Sequence, residues 1–367
     1  MFLGALALGF PGAVEAAPPA SRAPAEVGTW DPWELVLSAP PSTGNPFLDT
    51  TVTATVDGPD GRKTIEGFCD AQDGTVYRVR AMPTRPGRYR YVVTFARAGA
   101  APEHVRGQFV ATASKRRGQV KVDPKHPFHF VWAGTGEHYF WNGTTAYLLF
   151  GWDEETGRQI IDRFADLGVN RARVALAGRQ IWEPSANARG TTFRPVLLPW
   201  VAKTPDDPNA PGIDVTRFDL DLFRRAERIL DRARERDVQL SIIFYVDGYR
   251  PGIDPFGERG AGGNDERRYY RYVVARFAAF ANVMWDVANE YRHFRSDAWA
   301  DAMGRLIRDA DPYDHLTSVH GHASFRFRKA AWADMALYQH WDDCGGHPFM
   351  LLNRQLQAQL GRPIPQI

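Results

Sequence analysis

The sequence predicts a multidomain chain, an N-terminal antiparallel β-sandwich followed by a (β/α)8 barrel that breaks off in its seventh strand. Three observations carry this. Between about Trp30 and Thr112, short alternating runs such as "WELVLSA", "TVTATVDG", "TIEGFCD", "VYRVRAM", "YRYVVTFA" and "RGQFVAT" are separated by turn residues at the roughly 8–12-residue spacing of an antiparallel sandwich. After "SKRRGQ", residues 114 to 119, the rhythm changes to amphipathic helices alternating with strands apolar on both faces, which is the signature of a parallel sheet covered by helices. The 367 residues also exceed one domain at about 100–200 residues each.

The elements follow in order. "MFLGALALGFPGAVEAAPPASRAPAE" has an apolar stretch and then small residues, with Val14 and Ala16 placed like the positions before a signal-peptidase cut. Residues 1–26 are therefore expected to be a signal peptide and linker, and the protein to be secreted or periplasmic. The sandwich is expected over 27–113 and the barrel over 120–367. "TTAYLLF" reads as the first barrel strand. Ile160, Ile161, Phe164 and Leu167 share a helical face that stops at Gly168, and "VNRARVAL" is extended. Leu222, Phe223, Ala226, Ile229, Leu230 and Ala233 line the next helix before "VQLSIIFYV". Tyr270, Val273, Val274 and Phe277 precede "NVMWDVA", and Trp299, Met303, Leu306 and Ile307 precede "LTSVHGH". "ADMALYQH" and "RPIPQI" supply the sixth and seventh strands. An open doubly wound sheet is the competing architecture, but no Gly-rich phosphate loop follows any strand. The segment from Gly178 to Thr216 is far longer than an ordinary connection and follows the second strand, where barrel enzymes build active-site loops.

Composition excludes several function classes. A net charge of +2 gives no electrostatic support for nucleic acid or an anionic membrane surface as partner. No stretch after the leader approaches the roughly 18 apolar residues of a membrane span. Cys69 and Cys344 stand far apart without a CxxC, so neither a disulfide framework nor a zinc site is indicated, and no cofactor is called for. The aromatic share of 13%, with 11 Trp, suits stacking on sugar rings and equally suits a large aromatic core. Oligomeric state is left open.

In a barrel of this kind, chemistry lies where strands emerge at their C-terminal ends. Read that way, the second strand offers Arg173, the third Tyr245 and Asp247, the fourth Asn289 and Glu290, the fifth His320 and His322, and the sixth Tyr338, His340 and Trp341. A Glu ending a buried strand beside an amide and an aromatic stands where a general acid works; the plain alternative is a Glu capping a loop. Asp286, inside the strand, is expected to make a buried hydrogen bond.

"NVMWDVANEY" resembles the acid/base strand of the clan A glycoside hydrolases, which are retaining enzymes on TIM barrels. "NRARVAL" and "FRRAERILDRARERDVQLSIIFY" are similar to their second strand and to the helix and strand that follow. "DADPYDHLTSVHGH" resembles the corresponding passage of apiosidase-like members. "WELVLSAPPSTGNPFLDTTVTATV", "IEGFCD" and "YRVRAMPTRPGRYRY" resemble the β-sandwich domain of unknown function 5060. The resemblance spans about Trp30 to Ile367. It implies Glu290 as acid/base catalyst, Asn289 bonding a sugar hydroxyl, and Arg173 supporting the nucleophile, against the alternative of an ion pair that only holds the mouth together. It further implies that His320 or His322, Tyr338 and His340 line the sugar site and that Trp182, Trp200 and Trp341 offer stacking surfaces, with structural packing the alternative for each. Carbohydrate is the implied partner.

Retaining hydrolysis needs a second carboxyl group about 5–5.5 Å from the first. In the resembled family it is a Glu just past the seventh strand, and the sequence as given reaches "GRPIPQI" before that position. The nucleophile is therefore expected just after Ile367, which makes the sequence an incomplete copy of a longer enzyme. The competing expectations are a carbohydrate-binding protein without catalysis, recruitment of Asp247, Asp342 or Asp343, and a metal-dependent hydrolase using His320, His322 and His340.

Overall fold

The structure, a computed structural model, describes residues 19–179, 193–205, 207, 209–321, 325–339 and 346–367. The N-terminal part consists of two sheets. One has four antiparallel strands in the spatial order Ala20–Arg22, Trp33–Ser38, Val76–Ala81 and Phe68–Cys69. The other has five strands, in the order Glu26–Gly28, Glu103–Thr112, Gly87–Arg97, Thr50–Gly58 and Gly61–Glu66, the first pair parallel and the rest antiparallel. Alternation decides which face of each strand is buried: in Trp33–Ser38 the buried residues are Trp33, Leu35 and Leu37. Trp33 stacks on Phe109 of the other sheet at 4.2 Å and Tyr77 meets Phe95 edge-on at 5.0 Å, so the two inner faces share one core. The strand Ala20–Arg22 pairs with Val36–Ser38, so the sheet begins inside the span expected to be leader and linker.

The C-terminal part is a parallel ladder. Gly143–Thr145, Arg171–Arg179, Gln239–Tyr245, Val283–Asp286 and Thr317–Ser318 pair in chain order, all parallel. The sixth and seventh positions are held by single parallel bridges, His320 with Leu337 and Ala336 with Gln366, where full strands were expected. Helices Glu154–Asp166, Leu220–Glu235, Asn264–Phe277, Asp297–Ala310 and Gly346–Gln359 cover the ladder. Their starts follow local chemistry: Asp153, Asp219 and Ser296 accept hydrogen bonds from the backbone N–H groups of Thr156, Leu222 and Trp299. The expected apolar faces pack inward except at Leu167, which is 58% exposed because the first helix ends at Asp166. Beneath the ladder, the antiparallel strands Val120–Val122, Phe130–Trp132 and His138–Tyr139 pack Val120, Phe130, Trp132 and Tyr139 against Met284, Leu316 and Met335.

The long connection after the second strand is partly structured. Val196–Leu197 pairs with Gly178–Arg179, and Trp200–Ala202 pairs with Ile213–Phe218. Trp200 is 1% exposed and packs on Tyr245, Phe256 and Tyr269, so the stacking surface expected of it is filled by the protein itself.

The two parts meet through a buried ionic network. Arg80, from the four-stranded sheet, donates to Glu227 Oε1 and to the Arg276 carbonyl, both at 2.7 Å. Arg276, fully buried, bonds Glu227 at 2.7 Å and Asp70 at 2.9 Å, with its guanidinium over the Phe68 ring.

Candidate active site

The ladder's register brings distant residues to one end of the barrel. Arg171 and Arg173 are two apart on the second strand, are both buried and face the same side of the ladder. Arg171 donates to Ser241 Oγ at 2.9 Å. Burial, helped by the neighbouring Arg173, pushes its pKa down to about 9. One step nearer the mouth, Arg173 donates to Asp286 Oδ2 from Nε at 3.1 Å and from Nη2 at 2.6 Å, and to Asn289 Oδ1 at 3.1 Å. Burial works against this cation, but the Asp286 carboxylate outweighs it and holds the guanidinium charged. Burial pushes the Asp286 carboxyl upward, against the pull of Arg173 and Arg171. The hydrogen bond expected of Asp286 is thus an ion pair with Arg173.

Tyr147 completes the array. It follows the first strand, and its hydroxyl donates to Asn289 Oδ1 at 3.2 Å while its ring lies 5.9 Å from the Arg173 guanidinium. Burial raises the Tyr147 pKa; Arg173 lowers it, while Asp286, Glu290 and Asp247 add to the rise, so these charges all converge around one phenol. With its Oδ1 occupied by two donors, the 97%-buried Asn289 turns its Nδ2 away from them, and among the described residues that group has no partner.

Glu290 adopts φ 48°, ψ 41°, the left-handed conformation, at the residue where the fourth strand turns into the short 3-10 helix Tyr291–His293. A β-carbon makes this conformation cost roughly 1–2 kcal/mol, and such strain gathers where a side chain must be aimed. Tyr291 holds the turn from below through its hydroxyl on Asp297 at 2.8 Å. The Glu290 carboxylate is 19% exposed, with Oε2 3.8 Å from His293 Nε2. Asp247, two residues past the third strand, is also left-handed at φ 54° and pairs with Arg250 at 3.1 Å.

The other expected site residues divide. His320 is 4% exposed; its N–H donates to the Ala288 carbonyl at 3.2 Å and its carbonyl accepts from Tyr291 at 3.3 Å, which places the end of the fifth strand beside the Asn289–Glu290 turn. Tyr338 donates its backbone N–H to the Ile367 carbonyl, while its ring packs against Phe325, Phe349 and the Arg328 guanidinium. Its contacts among the described residues do not include Asn289 or Glu290. His322, His340, Trp341, Trp182, Asp342 and Asp343 lie outside the described residues. Among the described residues no group of three or more His, Cys, Asp or Glu could hold a metal ion. Sequence reasoning passed over Tyr147 as a site residue; its one signal was an aromatic in the middle of "TTAYLLF", indistinguishable there from core.

A family described as a domain of unknown function, DUF5060, matches residues 26–96. A second family, apiosidase-like, catalytic domain, matches residues 128–364. Among solved structures, a protein from Bacteroides vulgatus ATCC 8482 assigned to the glycoside hydrolases is 28% identical, with TM-score 0.74, covering 92% of this chain and 64% of that one. This chain thus spans less than two thirds of that relative's length. A glycoside hydrolase family 5 structure from the same organism is 16% identical over 68% of this chain and 54% of that one, with TM-score 0.47. An endo-1,4-beta-mannanase from Rhizomucor miehei is 15% identical over 68% of this chain and 80% of that one, with TM-score 0.44. No curated protein matches. The match over residues 128–364 takes in more than half of the chain, and the protein belongs to the apiosidase-like catalytic-domain family.

Proposed function

We propose that the protein is a retaining glycoside hydrolase cleaving O-glycosidic bonds of poly- or oligosaccharides, with Glu290 as general acid/base. The observation that carries this is Glu290 held in a left-handed turn beside the buried Tyr147–Asn289–Arg173–Asp286 array. In the first step a carboxylate attacks the anomeric carbon while the glycosidic C–O bond breaks, and Glu290 gives its proton to the departing oxygen. In the second, Glu290 takes a proton from water as that water attacks the glycosyl ester and releases the nucleophile. Asn289 Nδ2 would donate to a hydroxyl beside the reacting carbon, and His320 would line the sugar side. The buried Arg173 cation would favour the ionised form of a nearby nucleophile.

The nucleophile is proposed to lie just after Ile367. Ile367 bonds the Ala336 carbonyl through its N–H and accepts from Tyr338, so the backbone runs parallel to residues 336–338 toward the end where Asn289 and Glu290 emerge. A Glu in the first few codons downstream is expected, and a stop codon directly after Ile367 would remove this assignment. The parallel ladder with its covering helices supports a (β/α)8 barrel over 120–367, and the two sheets support a β-sandwich ahead of it, begun by residue 20.

The test is Glu290→Gln in the full-length protein. Turnover of substrates with poor leaving groups should fall by about 10²–10⁴-fold while carbohydrate binding persists. Unchanged kinetics would sink the assignment.

A further inference from the structure

The hairpin in the long connection after the second strand, Trp200–Ala202 with Ile213–Phe218, is gripped by two loops of the N-terminal sandwich. Gln72 donates from Nε2 to the Phe218 carbonyl at 2.7 Å, and its own backbone carbonyl accepts from Arg217 Nη1 at 2.9 Å. Asn45 donates from Nδ2 to the Thr216 carbonyl at 3.2 Å and to Thr216 Oγ1 at 2.9 Å. Its Oδ1 faces the other way and accepts from the Phe47 N–H at 3.1 Å, which brings the Phe47 ring edge-on to Phe218 at 5.5 Å. Both carboxamides reach main-chain carbonyls, so they fix the course of the backbone.

The other strand of the hairpin carries Trp200, directly opposite Phe218. The Trp200 ring lies against Tyr269 at 4.7 Å and Tyr245 at 6.3 Å. Among the described residues neither the Trp200 indole N–H nor the Tyr245 hydroxyl has a hydrogen-bond partner, so where these two buried rings stand is set by packing against the hairpin. Tyr245 ends the third barrel strand, and its carbonyl accepts the Asn289 N–H at 2.9 Å. Contacts thus run without a break from Asn45 and Gln72 through Phe218, Trp200 and Tyr245 to Asn289. As glue the Asn45 and Gln72 bonds would be redundant. The buried Arg80–Glu227–Arg276–Asp70 network already joins the two parts, but it grips the helices Leu220–Glu235 and Asn264–Phe277, and none of these bonds reaches the hairpin.

We propose that the N-terminal sandwich is a working part of the active site. Asn45 and Gln72 are positioning residues that hold the hairpin and, through Trp200 and Tyr245, set where Asn289 stands. This rests on Asn289 bonding the sugar as proposed above, and the experiment separates the two ideas.

The test is a double-mutant cycle in the full-length protein, with a glycan that it cleaves. Asn45→Asp combined with Gln72→Glu keeps the side-chain shapes and the acceptor for the Phe47 N–H, and removes the N–H donors that reach Thr216 and Phe218. The pair should lower kcat/KM by about fivefold or more, the scale of one neutral hydrogen bond's worth of misplacement. In an Asn289→Ala background the same pair should lower it by less than about twofold, because the group it positions is already gone. The urea midpoint should be nearly the same with and without the pair, which a merely structural role would not allow. Equal losses in the two backgrounds would overturn the proposal, as would a clear drop in the urea midpoint, or no loss from the pair while Asn289→Ala still slows turnover. If Asn289→Ala leaves kcat/KM unchanged, the sugar-binding reading of Asn289 falls and the positioning role falls with it.

Discussion

Two buried arginine–carboxylate networks in this molecule use the same residue types toward different ends. At the junction between the two parts, each buried carboxylate is held by more than one arginine. Glu227 meets both Arg80 and Arg276, and Asp70 meets Arg78, Arg224 and Arg276. At the mouth, Arg173 meets Asp286 and the Asn289 side-chain oxygen, Tyr147 meets that same oxygen, and the Glu290 side chain follows in the next residue, 19% exposed. The carboxyl groups record the difference. Burial would raise Glu227, but its two arginines bring it down to about 2, whereas burial prevails at Asp286 and raises it. The first arrangement stabilises charge in order to join two folding units. The second keeps charge where burial opposes it, as a site does when it must present polar groups to a ligand.

Breaking the junction should produce the largest effect. Arg276→Met leaves Glu227 and Asp70 each short of a buried partner, and removing one member of such a pair costs about 3–5 kcal/mol. Urea denaturation should show a loss of that order. A loss below about 1 kcal/mol would mean that the network joins little. The double variant Arg276→Met with Glu227→Leu should regain part of the loss, because Glu227 is then gone and Asp70 keeps Arg78 and Arg224.

Acid sharpens the comparison. Glu227 has a folded pKa of about 2 against an ordinary 4.5, so its contribution is present above about pH 4.5 and is lost as pH falls toward 2. Asp286, raised above 3.8, has the opposite slope, contributing less as pH rises through its folded value. Stability measured by chemical denaturation between roughly pH 5 and 2 should therefore fall less steeply in Glu227→Gln than in wild type. Parallel curves for the two proteins would show that Glu227 does not govern the acid limb.

The smallest effect tests the mouth alone. Tyr147→Phe removes one of the two hydrogen bonds on Asn289 Oδ1, worth about 0.5–1.5 kcal/mol. Turnover should drop several-fold, with a stability change no larger than that hydrogen bond. A stability loss approaching that of Arg276→Met would show the mouth array to be structural in the same sense as the junction.

Much of this arrangement could be read from residue order. The helix Leu220–Glu235 announces itself by Leu222, Phe223, Ala226, Ile229, Leu230 and Ala233, all buried, because a 3.6-residue period is a local property. That Asn289 and Glu290 stand where the fourth strand ends could be inferred from an apolar run that finishes in polar residues. Trp200 was left open between ligand stacking and packing, since a tryptophan in a loop looks alike whether it faces a ligand or, as here, Tyr245 and Tyr269. Tyr147 went unseen because its partner Asn289 is 142 residues away. Nor does any spacing announce that Asp70 pairs with an arginine 206 residues later.

The sequence by itself determined the alternation of helices and strands, the change of rhythm between the two parts, and the residue types available at each strand end. These follow from periodicity and local turn chemistry, which act over a few residues. Tertiary structure alone decided which of those groups meet. The parallel register sets Tyr147, Arg173, Asp286 and Asn289 side by side, and the left-handed turn at Glu290 aims a carboxyl beside His293 and Tyr249. Contacts across a hundred residues depend on how sheets and loops pack, and their energies arise only once water has been excluded around them.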